Sequence, residues 1–199
     1  YMILNKLHIN LSKCCYIHFK NHSRNLLPQN DKLELQLDGF AIRKTKETKF
    51  LGVIIDEELS WESHIRNLKR KLNHATATLN KLRDSLPKEL HRELYYTLFE
   101  SHLSYCISVW GGIPQYKMDE LHVIQKKCVR ILFGDHEAYL DKFKTCARAR
   151  AMPKENQKLG SSFYEKENTK PLFEKHKLLT VQNLYNYHCF MEIFKILKF

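Results

Sequence analysis

No apolar run in these 199 residues reaches the roughly 18 to 20 needed for a membrane-spanning helix, so a bilayer is not where this chain is expected to sit. The opening YMILNKL has neither the charged start nor the apolar centre of a secretory leader, and it begins in the middle of a pattern. No CxxC pair occurs among the six cysteines, at positions 14, 15, 106, 128, 146 and 189. His18 and His22 stand beside Cys14 and Cys15 at H-x3-H spacing, but without a second ligand pair of zinc-site spacing, and zinc is not expected. Reduced, partly buried thiols in an intracellular protein, nuclear or cytoplasmic, fit this usage. A phosphate-binding G-x-x-x-x-G-K-[ST], a nucleophile elbow G-x-S-x-G and a zincin H-E-x-x-H are all missing, which removes the commonest nucleotide-hydrolysing, esterase and metalloprotease readings. There is also no internal repeat and no low-complexity tract.

The chain carries an excess of positive charge. Lys and Arg number 33 against 22 Asp and Glu, a formal net charge of +11 and a pI near 9.3. A surplus of that size suits a polyanionic partner, nucleic acid first and an acidic membrane second. It is spread along the chain, with local groups at Arg66, Lys69, Arg70 and Lys71, at Lys126, Lys127 and Arg130, and at Arg148, Arg150, Lys154 and Lys158.

The patterning divides the chain. Residues 1–59 read as β-rich: HINLSKCCYIHF alternates around Cys15, Ile17 and Phe19, and LELQLDGFAIRK alternates on both sides of Asp38-Gly39, a strong hairpin signal. FLGVII (50–55) reads as a third strand with Gly52 inside it, as at a bulge or a close backbone approach. At Ser60 the period changes. Trp61, Ile65, Leu68, Leu72, Ala75, Leu79, Leu82 and Leu86 step by four and three, an amphipathic helix over 60–86 with Ser60 as N-cap and Pro87 beyond its end. A second helix is expected from Pro87, as N1 residue, to about His102, burying Leu90, Leu94, Leu98 and then Tyr105. A third covers about 117–133, with Leu121, Ile124, Cys128 and Ile131 on one face and Gly134 as its stop. SYCISVWGGIPQ between them predicts a tight redirection, with Tyr105 and Trp110 in the core. Polar residues 148–170 form the best linker, and 171–199 read as a short helix and then a longer one through Leu184, Tyr187, Met191 and Phe194. The fold class is therefore α+β: a β region (1–59), a three-helix region (60–134), a basic helix and linker (135–170), and a C-terminal helical pair (171–199).

Four segments, NKLHINLSKCCYIHF (5–19), TKFLGVIIDEELSWESHI (48–65), LYYTLFESHLSYCISVWGG (94–112) and LHVIQKKCVRILFG (121–134), occur in that order. Together they resemble the distal palm and thumb of a non-LTR (LINE-type, jockey-like) retrotransposon reverse transcriptase, over about two-thirds of the chain. The resemblance implies an RNA-directed DNA polymerase segment whose partners are an RNA template and a DNA primer, with no membrane involved. It also implies that the metal-binding aspartates, with the catalytic palm and fingers, would lie upstream of Tyr1. Mg²⁺ is implied for a complete enzyme, no cofactor for this stretch, and the chain alone is expected to be inactive.

The resemblance also implies roles. Asn10, Lys13 and Phe19 match an N-x-x-K-x-x-x-x-x-F pattern in which the lysine is a candidate general acid near the departing pyrophosphate, with Cys14 where a threonine is usual. Phe50, Leu51, Gly52 and Val53 match the primer grip, where glycine allows backbone to approach a sugar-phosphate closely. Helix 60–86 matches the first thumb helix. Its Arg66, Lys69, Arg70 and Lys71, with Lys126, Lys127 and Arg130 further on, are candidate phosphate contacts. Trp61 and His64 match a W-x-x-H element, read as core packing and a helix-start hydrogen bond. Asp56, Glu57 and Glu58 are adjacent on a turn, which suits helix-start electrostatics better than a two-metal site. The alternative is a non-enzymatic helical interaction or nucleic-acid-binding protein derived from a retrotransposon.

Overall fold

The computed structural model describes Asn10 and residues 13–19, 34–37, 39–134 and 169–198. The chain divides into two compact units, Tyr1–Ile65 and Arg66–Phe199. The fold is α+β, short strands first and helices after. Asp38, His22, Cys146, the third basic group and most of the 135–170 linker lie outside the described residues.

Among the described residues of the first unit, three two-stranded sheets are built from short elements. β1 (Cys15–Tyr16) pairs in parallel with β4 (Arg43–Lys44). The strand expected along HINLSKCCYIHF is thus limited, among its described residues, to two positions; beyond Tyr16 the only ladder partner, β4, ends and the chain leaves the sheet. β2 (Gln36–Leu37) and β3 (Phe40–Ala41) form the hairpin expected at Asp-Gly, Leu37 facing Phe40 across a two-residue turn with Gly39 at φ +79°.

β5 (Glu47–Phe50) and β6 (Val53–Asp56) are antiparallel, with Phe50 opposite Val53. The single strand expected over 50–55 is therefore two strands and their turn. Leu51 (φ +46°) and Gly52 (φ +89°) are both left-handed, the mirror-image turn whose twist matches that of the flanking strands. Glycine at 52 supplies a backbone angle that side chains resist, rather than a bulge inside a strand.

α1 (Glu62–Leu82) starts later than expected, and Ser60 is not its N-cap. The Trp61 carbonyl accepts the first helical bond, from Ile65 N–H at 2.8 Å, while Trp61 itself sits at φ +60°. Ser60 lies one residue outside, its Oγ accepting from Glu62 N–H. The expected apolar stripe is the core in its middle: Ile65, Leu68, Leu72, Ala75 and Leu79 are buried, while Trp61, Leu82 and Leu86 are half-buried at the ends. The helix tightens to a 3₁₀ turn at Arg83–Ser85 instead of running on to 86.

Pro87 is likewise a residue outside its helix, preceding a 3₁₀ turn (Lys88–Leu90). From His91 to Ser104 the chain is one helical path of changing pitch: α2 (His91–Leu94), a π segment (Tyr95–Glu100) and α3 (Ser101–Ser104). Here the expected face is wrong by one residue. Leu90 is exposed and Leu94 and Leu98 are half-buried, whereas His91, Tyr95, Phe99 and Leu103 are buried. These four are spaced by four. In an α-helix such a row drifts by about 40° per step; the wider π turn takes up the drift and keeps the larger aromatic rings on one side.

Tyr105 is extended and 51% exposed, contrary to a core role, and Cys106 (φ +51°) reverses the path into α4 (Ile107–Trp110). Trp110 is fully buried as expected, its Nε1–H donating to the Tyr105 carbonyl at 2.9 Å. α5 (Gln115–Phe133) ends at Gly134. It buries Leu121, Cys128 and Ile131, with Ile124 half-buried. α6 (Lys170–Lys175) and α7 (Val181–Leu197) are the expected C-terminal pair. α4 lies close against α7: Gly111, at the end of α4, leaves no room for a Cβ against the Tyr185 ring. Among the described residues no helix is long and apolar enough to cross a membrane.

Candidate nucleic-acid interface

In the first unit, the β5–β6 turn puts two large apolar side chains into water: Phe50 is 61% and Leu51 75% exposed, while Val53 is buried. Below this tip the hairpin is fixed to the start of α1. His64 Nδ1 accepts the Ile54 N–H, and the Trp61 and His64 rings meet edge to face at 6.4 Å. The Asp56 carboxylate accepts three backbone N–H groups, from Ser60 and Glu58 at Oδ1 and from Trp61 at Oδ2. Partial burial pulls its pKa upward, but those bonds outweigh it and hold the carboxyl below its ordinary value. Asp56 is thus committed to shaping the turn, as the helix-start reading expects. Lys13 is exposed at a short turn in which its N–H donates to the Asn10 carbonyl at 3.0 Å. Phe19 is 53% exposed.

Among the described residues no site fits Mg²⁺. Among the described residues no three His, Cys, Asp or Glu side chains converge on a common point, and both Asp56 oxygens already face backbone N–H groups.

In the second unit the seven candidate cations separate into sets. Arg70 and Lys71 line a cleft of about 450 Å³ with His74, Leu98 and His102. Arg66 and Arg70 are exposed one turn apart on the same side of α1, and Arg70 Nη2 donates to Asn67 Oδ1 at 2.7 Å. Lys69 differs from the expectation: its ammonium is paired with Glu120 of α5, so its charge is already balanced by a helix-to-helix contact. Lys126 and Arg130 line a second cleft, of about 920 Å³, with residues of α6, α7 and the turn between them. Lys127 is exposed and lines neither.

Three buried polar residues that the periodicity left unremarked hold this unit together. Arg83 Nη1 donates to the Ile131 carbonyl at 2.9 Å, and the His91 ring nitrogens face the Leu132 and Arg83 carbonyls at 3.0 and 3.1 Å. The carbonyls at the end of α5, which have no partner within their own helix, are met in this way. Gln125 is fully buried; its amide nitrogen donates to Tyr95 Oη and the Leu179 carbonyl, and its oxygen accepts from Val181 N–H at 3.0 Å. A Gln at an otherwise apolar helix position is a signal of this kind, though the sequence does not name the partners. Burial pushes the Tyr95 hydroxyl pKa upward and the Cys128 thiol up to about 12, so neither ionises near neutrality. Cys14, Cys15, Cys106, Cys128 and Cys189 are all free thiols.

Comparison with known proteins supplies what geometry alone does not. The RNA-directed DNA polymerase from the mobile element jockey of Drosophila funebris is 30% identical over 133 residues, 63% of this chain. Its counterpart from Drosophila melanogaster is 24% identical over 129 residues. Over those residues the chain is similar to jockey-type reverse transcriptases. It spans only about 13% of the length of either jockey polymerase. No family model and no solved structure matches it.

Proposed function

We propose that this chain supplies the template–primer-holding part of a jockey-type, RNA-directed DNA polymerase. The observation that carries the reading is the cationic face of α1: Arg66, Arg70 and Lys71 are exposed, and the last two open a cleft with His74 and His102. Cations presented along one helix meet successive backbone phosphates and read no sequence, which is what a polymerase needs of its duplex. The Phe50–Leu51 tip is suited to hold a primer end, its turn backbone bare of bulky side chains at Gly52. Lys13 is placed in water, where an ammonium can deliver a proton to a leaving pyrophosphate. A metal ion would supply the phosphoryl-transfer chemistry in a complete polymerase; no step is assigned to it among these residues.

The test is binding of a labelled RNA–DNA hybrid by the whole chain and by an R66Q/R70Q/K71Q variant across a salt series. Affinity should fall in the variant, and the slope of log K against log salt should shrink by roughly 0.9 per lost contact. Unchanged hybrid binding would remove the reading. A second reading, a helical protein that binds other macromolecules, is favoured by one observation: the last turns of α7 expose Phe190, Ile193, Phe194, Ile196 and Leu197. It predicts no preference for hybrid over single strands.

A further inference from the structure

The larger cleft, between α5, α6 and α7, shares no residue with the α1 face. Four cations surround it: Lys126 and Arg130 on α5, Lys170 on α6 and Lys177 in the turn after it. Among the described residues one acid, Glu174, lies 3.9 Å from Lys170, and Arg130 and Lys170 also have partners of their own. Among the described residues Lys126 and Lys177 make no ion pair. Apolar side chains stand between the charges, Phe173 buried, Leu179 37% exposed and Val123 64% exposed. Phosphate donors alternating with apolar surface suit a strand whose bases and sugars are unpaired and free to turn toward the protein.

One further group gives this cleft a selectivity. His122 lines it, and its Nδ1 lies 3.1 Å from Gln125 Oε1. The Gln125 amide has only one possible orientation, because its nitrogen donates to the Leu179 carbonyl and its oxygen accepts the Val181 N–H. The oxygen can only accept, so the His122 proton sits on Nδ1 and Nε2 carries a lone pair. Burial, with Lys126 alongside, lowers the ring's pKa against the opposing effect of the Gln125 bond and keeps it in this neutral form. A fixed acceptor among cations has no use for a phosphate oxygen; it needs a donor on the ligand. In a nucleic-acid strand the backbone donor that distinguishes RNA from DNA is the ribose 2′-hydroxyl.

We propose that the α5–α6–α7 cleft holds a single RNA strand, its phosphates taken by Lys126 and Lys177 and one 2′-hydroxyl donating to His122 Nε2. This site stands independently of the α1 face and fails or holds separately from it.

The test compares RNA, DNA and 2′-O-methyl RNA oligonucleotides of one sequence, about ten nucleotides long, for binding to the whole chain by fluorescence anisotropy. RNA should bind roughly 3- to 10-fold more tightly than either of the others, the range for one neutral hydrogen bond. A K126Q/K177Q variant should lose strand affinity with a shallower salt slope, and lose more of it than of RNA–DNA hybrid affinity. An H122F variant, checked for folding by its thermal melt, should bind RNA and DNA alike. If 2′-O-methyl RNA binds as well as RNA, the 2′-hydroxyl contact is wrong. If K126Q/K177Q leaves strand binding unchanged, or reduces strand and hybrid equally, the cleft is not a separate strand site. Loss of hybrid binding in R66Q/R70Q/K71Q with strand binding intact bears on the α1 face alone.

Discussion

His64 Nδ1 accepts the backbone N–H of Ile54 at 3.3 Å, ten residues back along the chain. Ile54 faces Lys49 across the β5–β6 ladder, so this bond attaches the first turn of α1 to the hairpin that carries Phe50 and Leu51. An orienting bond of this kind matters because a tip of exposed apolar residues is useful only when held at a set angle. Replacing His64 by Phe keeps the ring and removes the acceptor. The expected cost is about 1–2 kcal/mol, for a partly buried N–H left unpaired. Hydrogen exchange should locate it, with the Ile54 amide losing more protection than the Val53 or Ile55 amides.

Gln125 answers for four groups at once, on Tyr95, Leu179, Val181 and His122. Q125L is close in volume and strands those partners in a dry site. A loss of about 3–5 kcal/mol is expected, read as the shift in urea midpoint, with Q125E destabilising as well. A loss below about 1 kcal/mol would mean that the network does not fasten the helices together.

Glu100 is partly buried, its Oε2 has no hydrogen-bond partner among the described residues, and burial pushes its carboxyl up to about 7. In the unfolded chain the same group titrates near 4.5. Between those values the folded chain holds a proton that the unfolded chain has released. The contribution to stability is full below about 4.5 and is lost as pH rises through about 7. E100Q should remove that dependence and be more stable than the parent at pH 8. Urea titrations at pH 5 and pH 8 check it; parallel curves for the two proteins would refute it.

Lys69 is occupied by Glu120, so freeing it should add a phosphate donor to the α1 face. E120Q is expected to change stability by less than about 1 kcal/mol, because the pair is partly exposed. It should steepen the salt dependence of hybrid binding by roughly 0.9. Hybrid binding with an unaltered slope would show that Lys69 does not reach the phosphates even when free.

The parts of the fold legible in the sequence are those whose signal is local. Asp-Gly announces the Leu37–Phe40 hairpin, and the four–three stepping from Ile65 to Leu79 announces the buried face of α1. The misreadings share a physical origin: tertiary demands override a local rule. FLGV looks like strand because Phe, Leu and Val favour it, yet the Leu51–Gly52 dihedrals turn the chain there. Leu90, Leu94 and Leu98 look like a core row, yet Tyr95, Phe99 and Leu103 bury larger side chains and a change of pitch brings them together. In the candidate site, the order of the segments points to jockey-type polymerases and to the cations of α1. It cannot tell Lys69, spent on a neighbouring helix, from Arg70 and Lys71, which open a cleft, because partner choice depends on contacts some fifty residues away.

The π segment at Tyr95–Glu100 has a consequence for how this stretch can vary in length. A π turn is an α-helix carrying surplus backbone, and removing one residue from it would restore the ordinary pitch without breaking the helix. Because the surplus residue is taken up within the turn, its loss would leave Leu103 on the same side of the helix and the chain aimed as before at Cys106. The same loss inside α1 would rotate every later side chain by about 100°. Descendants of this sequence should therefore tolerate a one-residue deletion between His91 and Leu103 better than one inside α1.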